Sequence, residues 1–467
     1  VCAWYSAPSA RGRGAARLAA ATLVSGLVAA GVMAAAGPAA AEGAPQSPGG
    51  ASATLGGLKT YGTAVIHDDG GDHQVSAGLF EMSVDGGGTL QTYCIDMHTP
   101  TQRDAKYHET PWSGTSLAAN EDAGKIRWIL RNSYPQVNDL AALATKAGVK
   151  NLTEQDAAAG TQVAIWRYSD GADVEAVGPE AEKLADYLEK SARDLPEPRA
   201  SLTLDPPAVS GHPGERLGPV TVRTDASSVT LTPPAGAATS GVRIVGKDGK
   251  EITSAGNGSQ VFFEVPEDTA DGAATLTVQA STTVPVGRAF TSDSRSQTQI
   301  LAGSSESTVS ATARASWAAK GAIPALSAAK NCAAGGLDIT AANKGDEPFT
   351  FELMGARHTV AAGATETVTI PLQEDQAYDF TITGPGGHGQ RFTGVLDCET
   401  QGSPAGTAPR TLGDPSPATV GLPATDTNLA DTGGTDSTPL IAVTGLSLLV
   451  LGATALSIVR KKRTIQD

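Results

Sequence analysis

The sequence predicts a multidomain chain: an α+β head, β-sandwich (Ig-like) stalk domains, a flexible linker and a C-terminal transmembrane helix. Three observations predict it. Aromatic residues concentrate early in the chain, where Trp112, Trp128, Trp166, Tyr61, Tyr93, Tyr107, Tyr134 and Tyr168 lie, so that segment alone can bury much aromatic core. Short runs rich in Val and Thr, parted by Gly, Pro and Asp, fill the segments that follow. An uncharged apolar run, long enough to cross a hydrocarbon core, stands near the C-terminus.

Residues 1–41 read as a secretory signal peptide. Arg11, Arg13 and Arg17 precede the apolar run "LAAATLVSGLVAAGVMAAA", and "PAAAEG" supplies small residues for a cut after Ala41. The polar, Gly/Pro-rich "EGAPQSPGG" that follows favours cleavage over a retained anchor. The protein is therefore expected to be secreted.

The head is expected over 55–197. "YGTAVIHDD" and "LQTYCIDM" look like strands beside Gly/Asp-rich turns. "SLAANEDAGKIRWILRNSY" reads as a helix with Ile126, Ile129 and Leu130 on one face. "TEQDAAAGTQVAIWRYSD" reads as a second helix, capped by Thr153 with Glu154 and Asp156 in its first turn. On it Ala158, Gln162, Ile165, Trp166 and Ser169 share a face. Ala157, Ala158, Ala159 and Gly160 carry almost no side chain, which lets the helix approach a neighbour closely.

"DLPEPRA" then interrupts the chain with two prolines. Residues 201–318 carry the strand-like runs "GPVTVRT", "SSVTLTP", "GVRIVG", "QVFFEVP" and "ATLTVQAS", a β-sandwich pattern. Residues 325–399 repeat the theme with "GLDITAANKG", "PFTFELMG" and "AYDFTITG" and form a second β-sandwich domain. Residues 400–428 are rich in Pro, Gly, Thr and Ala and read as a linker. In 429–467, the apolar run 440–459 is followed by "RKKR" (Arg460 to Arg463), which places the preceding chain outside the cell.

The whole sequence holds 34 Lys and Arg against 49 Asp and Glu. Removing the two ends takes away seven basic and two acidic residues, which leaves 27 against 47 over 42–432, a net charge of −20. So acidic a chain is a poor partner for nucleic acid phosphates. It suits a soluble surface protein and weakly favours basic or amine-rich partners.

Cysteine use poses the functional question. Cys2 precedes the expected cut, leaving Cys94, Cys332 and Cys398. Cys332 and Cys398 stand at the two ends of the 325–399 unit, and a disulfide between them suits an exported small domain. Cys94 is then alone, which in a secreted protein signals an intermolecular bond, a reactive thiol or another partner. Gln162 is the polar amide in the apolar stripe of the second helix, and a buried Gln needs partners.

Two resemblances organise these features. The stretch "LADTG" (Leu429, Ala430, Asp431, Thr432, Gly433), an apolar run and a basic tail together resemble a Gram-positive cell-wall sorting signal of the LAxTG variant common in actinobacteria. The resemblance implies that a sortase cleaves between Thr432 and Gly433 and joins the Thr432 carboxyl to peptidoglycan, with the C-terminal helix in the membrane before sorting. "LPATD" (Leu422 to Asp426) has the proline but lacks the final glycine.

"YCID" (Tyr93 to Asp96), "LTEQ" (Leu152 to Gln155) and "TQVAIW" (Thr161 to Trp166) resemble the thioester domain of Gram-positive surface adhesins, with its TQxA motif. The resemblance covers 55–197. It implies an internal thioester between Cys94 and Gln162 and capture of a primary amine, such as a lysine on a target protein. That is one covalent acylation per molecule, not enzymatic turnover, and it needs no cofactor and no metal. Backbone N–H groups and the hydroxyls of Thr161 or Tyr93 are candidates for steadying the developing oxyanion.

Rival readings are a cysteine hydrolase using His98 or His108, and a metal site drawing on His67, His73, His98, His108 and Cys94, whose spacings match no common zinc pattern. A further alternative is a non-covalent binding or structural surface protein with Cys94 as a plain buried thiol. Beyond the head the lysines are few (Lys247, Lys250, Lys320, Lys330, Lys344), and none has an evident Asn and acid for an isopeptide bond.

Overall fold

The computed structural model describes residues 49–384 and 389–399. The expected signal peptide, linker, sorting motif and 440–459 apolar run lie outside them. Among the described residues no helix is long and apolar enough to cross a membrane.

The head is built on one antiparallel sheet. β1 (Ser52–Asp68) and β2 (Gly71–Val84) form a long hairpin across Asp69-Gly70, with the positive φ that glycine favours falling on Gly71 (112°). β3 (Thr89–Cys94) continues from β2, β4 (Lys106–Thr110) pairs with the start of β1, and β5 (Val174–Ala176) with its end. The two strands between β3 and β4 come from far along the chain. Gln299–Ser304 pairs with β3, Ala289–Ser292 pairs with β4, and the two pair with each other. Because β1 contacts both β2 and β4, the six strands close into a ring. The sequence pattern assigns residues 289–304 to the 201–318 unit. Here they complete the head's sheet, a long-range pairing that local pattern does not encode.

Four helices accompany this sheet: α1 (Ala123–Asn132), α2 (Leu140–Ala147), α3 (Glu154–Ser169) and α4 (Pro179–Ser191); α1, α3 and α4 contact its strands, and α2 packs on α4. Ile126, Ile129 and Leu130 of α1 are buried, as their spacing requires, but the helix is shorter than its pattern: Ser116–Ala118 forms a short 3-10 turn instead, and the helix starts only at Ala123. α3 begins with a reciprocal capping box, Thr153 Oγ1 accepting from the Asp156 N–H at 3.0 Å while Asp156 accepts the Thr153 N–H at 3.1 Å. Every residue from Ala157 to Trp166 is buried. The apolar stripe is therefore too narrow a description, because α3 is enclosed by β1, β2, α1 and α4. Gly160 permits this: a Cβ there would lie 2.4 Å from the Ala181 carbonyl of α4.

The middle segment forms two sheets. One orders Arg243–Gly246, Gln260–Glu264, Arg216–Thr224 and Leu202–Asp205. The other orders Ser254–Ala255, Val229–Thr232, Gly272–Thr283, Glu306–Trp317 and, parallel to the last, Ala208–Gly211. Within Glu306–Trp317, residues from Ser307 to Trp317 alternate between buried and half-buried, the signature of a sheet with one face on a core. That core is continuous with the head's. A buried ion pair holds the join. Arg288 Nε donates to Glu109 Oε1 at 2.8 Å and Nη1 to Glu197 Oε1 at 2.5 Å. Glu109 also accepts the N–H groups of Ala51 (3.2 Å) and Ser201 (2.9 Å). The proline-broken stretch around Glu197 is thus pinned to the head.

The third unit has its own core of Leu326, Leu337, Ile339, Phe349, Phe351 and neighbours. It comprises the sheet Pro324–Asn331, Gly336–Asn343, Thr365–Pro371 and the hairpins Phe349–Leu353/Ala356–Val360 and Ala377–Thr383/Gly389–Val395. Cys332 and Cys398 are disulfide-bonded, with Cα atoms 5.2 Å apart.

Candidate functional site

Cys94 is the last residue of β3, and Gln162 lies in the middle of α3. Both are fully buried. The packing of α3 against the sheet brings the Gln162 carboxamide onto the backbone of Cys94, where it makes two hydrogen bonds. The Cys94 N–H donates to Gln162 Oε1 at 3.0 Å, and Gln162 Nε2 donates to the Cys94 carbonyl at 2.9 Å. This reciprocal pair fixes the orientation of the amide and satisfies a Gln that would otherwise be costly to bury.

The sulfur has its own partner. Gln299, which pairs with Cys94 in strand register, donates from Nε2 to Cys94 Sγ at 3.1 Å. Its Oε1 accepts the hydroxyl of Thr92 at 2.9 Å. Burial pushes the Cys94 thiol well up, with Asp96 and Asp170 adding to the rise and the Gln299 hydrogen bond opposing it. Nothing in the spacing of "SQTQI" (Ser296 to Ile300) marks Gln299 in the sequence as a neighbour of Cys94, since it lies 205 residues away.

A second latch holds the strand end to the helix end. Asp170, just beyond α3, accepts the Met97 N–H at 3.0 Å. Asp96 accepts the N–H groups of His98 (3.2 Å) and Thr99 (3.3 Å) through Oδ1, while its Oδ2 is buried without a partner. Burial pushes the Asp96 carboxyl up to about 7.

The hydroxyls of Thr161 and Tyr93 are engaged elsewhere. Thr161 donates to the Ala157 carbonyl at 2.6 Å, and Tyr93 donates to the Tyr134 carbonyl at 2.9 Å. The donor that does meet the Gln162 carbonyl oxygen is the Cys94 N–H. The histidines do not gather at the sulfur. His67 bonds Asp72 at 2.7 Å, His73 pairs with Asp68 at 3.3 Å, His108 bonds Asp293 at 2.9 Å, and His98 is exposed. Among the described residues no cluster of His, Cys, Asp and Glu could hold a metal ion. The arrangement presents a thiol and a carboxamide in a site closed to bulk water, with a donor on the carbonyl oxygen and another on the sulfur.

Residues 91–194 match the family model of the thioester domain, and residues 322–395 match that of the C-terminal domain of bacterial phospholipase C. The head is thus an α+β thioester domain, and further β-rich domains follow it. No curated protein matches the chain. Two solved structures are similar at low identity. "The Bacillus anthracis TIE protein" is 14% identical, over 75% of this chain and 81% of that one, with a TM-score of 0.27. "Thioester domain of the Enterococcus faecium TIE86 protein" is 19% identical, over 57% and 96%, also with a TM-score of 0.27. At these TM-scores the likeness adds nothing to the family match.

Proposed function

We propose that Cys94 and Gln162 condense into an internal thioester, and that the protein uses it once to capture a primary amine on a target. The observation that carries this reading is the seating of the Gln162 carboxamide on Cys94 by two hydrogen bonds. The thioester-domain match over residues that include both supports it.

In formation, Cys94 Sγ attacks the Gln162 Cδ. The carbon–nitrogen bond breaks, the thiol proton goes to the departing nitrogen, and ammonia leaves. The negative charge develops on Oε1, which the Cys94 N–H already meets. In capture, the amine nitrogen attacks the same carbon, the carbon–sulfur bond breaks, and one proton of the amine ends on Cys94. The Gln299 amide sits where it steadies the departing sulfur. Burial of the site protects the acyl group from hydrolysis until an amine is presented.

The signal-like start, the LAxTG stretch and the apolar run with its basic tail extend the proposal: a secreted adhesin that sortase joins to peptidoglycan at the Gram-positive, actinobacterial cell surface, with the thioester head outermost. Sandwich-type stalk domains and a linker would carry the head away from the wall.

The test is the intact mass of the full chain before and after methylamine. The expected result is a mass short by one ammonia, a gain of one methylamine on treatment, and a Cys94 thiol that becomes alkylatable. Cys94→Ala and Gln162→Ala should each abolish all three. A full mass with a free thiol from the start would leave the alternative, a non-covalent binding or structural surface protein.

A further inference from the structure

The three segments that carry the reacting groups run on into the walls of one small cleft. Cys94 leads to Met97 and Thr99, Gln162 leads one turn along α3 to Trp166, and Gln299 is preceded by Gln297. Pro100 and, from the β1–β2 hairpin, Ile66 and Val75 complete the cleft. Its free volume is about 10 Å³, the room of a single water-sized molecule. Ile66 and Thr99 are half-exposed, so the cleft reaches solvent on that side.

Two of its walls carry unsatisfied polar atoms. Gln297 is 1% exposed and Trp166 is 2% exposed, yet Gln297 Oε1 and Trp166 Nε1 have no hydrogen-bond partner. The other end of the Gln297 amide donates to the Asp96 carbonyl, which fixes Oε1 as an acceptor. Buried polar atoms are seldom left unpaired without a purpose. A lone acceptor and a lone donor around a space of this size fit one molecule that both donates and accepts.

We propose that this cleft is the amine subsite of the thioester, and that it seats the nitrogen of ammonia or of an unhindered primary amine. The inference rests on the thioester reading above. Gln297 Oε1 accepts an N–H of the incoming amine, and the indole N–H of Trp166 meets its lone pair until that lone pair turns to the Gln162 carbon. The new carbon–nitrogen bond forms as the carbon–sulfur bond breaks, and one amine proton passes to Cys94 Sγ. A seat this small admits the tip of a lysine side chain and resists a nitrogen bearing two carbons.

The experiment uses the full chain and reads two quantities: the ammonia-sized mass deficit, and the rates of addition of methylamine and dimethylamine. The wild-type chain should prefer methylamine by at least about ten-fold more than a small-molecule thioester does in the same buffer. Gln297→Leu removes the acceptor, and Trp166→Phe removes the N–H while keeping a ring in the wall. Each should keep the mass deficit and slow methylamine addition about ten-fold, the scale of one hydrogen bond in the transition state. Each should also change the methylamine to dimethylamine ratio, which a purely structural defect would not do. A mass deficit with wild-type rates and ratio in both variants, or no excess preference in the wild type, would overturn the subsite and leave the thioester standing. A wild-type chain without the deficit would overturn the thioester and the subsite together. If both variants fail to fold, the wild-type preference decides alone.

Discussion

The side-chain amide of Gln299 donates to the sulfur of Cys94 at 3.1 Å across 205 residues of sequence. The thiol named by the thioester-domain motif is therefore held by a residue outside the segment that carries the motif. Gln299→Leu should leave the Cys94–Gln162 pair in place but take away the donor that steadies a departing thiolate. Methylamine addition should slow about ten-fold, while Gln299→Glu, which offers no amide N–H, should slow it at least as much. Stopped time courses followed by intact mass would check this, and unchanged rates in both variants would remove Gln299 from the chemistry.

The head fragment defined by sequence, 55–197, lacks Ala289–Ser292 and Gln299–Ser304, two strands of its own sheet. Expressed alone it should be less stable than the full chain and should form less thioester. Urea unfolding together with the ammonia-sized mass deficit would measure both. A fragment that matches the full chain in each would show that the two strands are dispensable.

Gly160 lets α3 lie against α4. A Cβ at that position would sit 2.4 Å from the Ala181 carbonyl and 3.1 Å from the Leu184 Cβ. Gly160→Ala should cost about 1–3 kcal/mol through overpacking, and because Gln162 is two residues on, it should also lower the fraction of chains with the mass deficit. Denaturant midpoints and intact mass would report the two effects.

Arg288 and Glu109 form a buried pair, with Arg288 4% and Glu109 0% exposed at the side chain. Arg288→Met would leave a carboxylate buried and unpaired, at a cost of about 3–5 kcal/mol. Adding Glu109→Gln should recover part of the loss, since the residual charge is the problem. A double mutant no more stable than Arg288→Met would contradict this account.

Burial pushes the carboxyls of Asp96 and Glu374 up to about 7, against about 4 when unfolded. Asp170 and Asp397 are shifted up as well, again chiefly by burial. The folded chain then binds more protons than the unfolded chain across that window, so its stability falls as pH rises from about 4 to about 7. Asp293 opposes this below its ordinary range, because the His108 hydrogen bond holds its carboxyl down. The thermal midpoint should be higher near about pH 5 than near about pH 7.5, and Asp96→Asn should flatten the slope.

Much of the local structure was legible because its causes are local. Thr153, Glu154 and Asp156 announce the start of α3, and that helix was readable nearly to the residue. Cys94 and Gln162 could be named as a pair only through a resemblance. Gln297 and Gln299 could not be named at all, since two glutamines at and just before the start of a strand carry no periodic or compositional signal. The apolar face assigned to α3 was too narrow because burial on every side depends on which elements surround the helix.

By itself, then, the sequence determined the elements whose causes lie within a few residues: the caps, the Asp-Gly hairpin turn, the alternating strands, the small-residue run of α3 and the charge of the chain. Only the tertiary structure decided which strands share a sheet. That choice brought residues 289–304 to Cys94, placed a donor on its sulfur, and set Gln297 and Trp166 in the wall of one cleft. The physical reason is that hydrogen bonding between strands and burial of side chains reward contacts in space, and nothing in a stretch of ten residues records which distant strand will meet it.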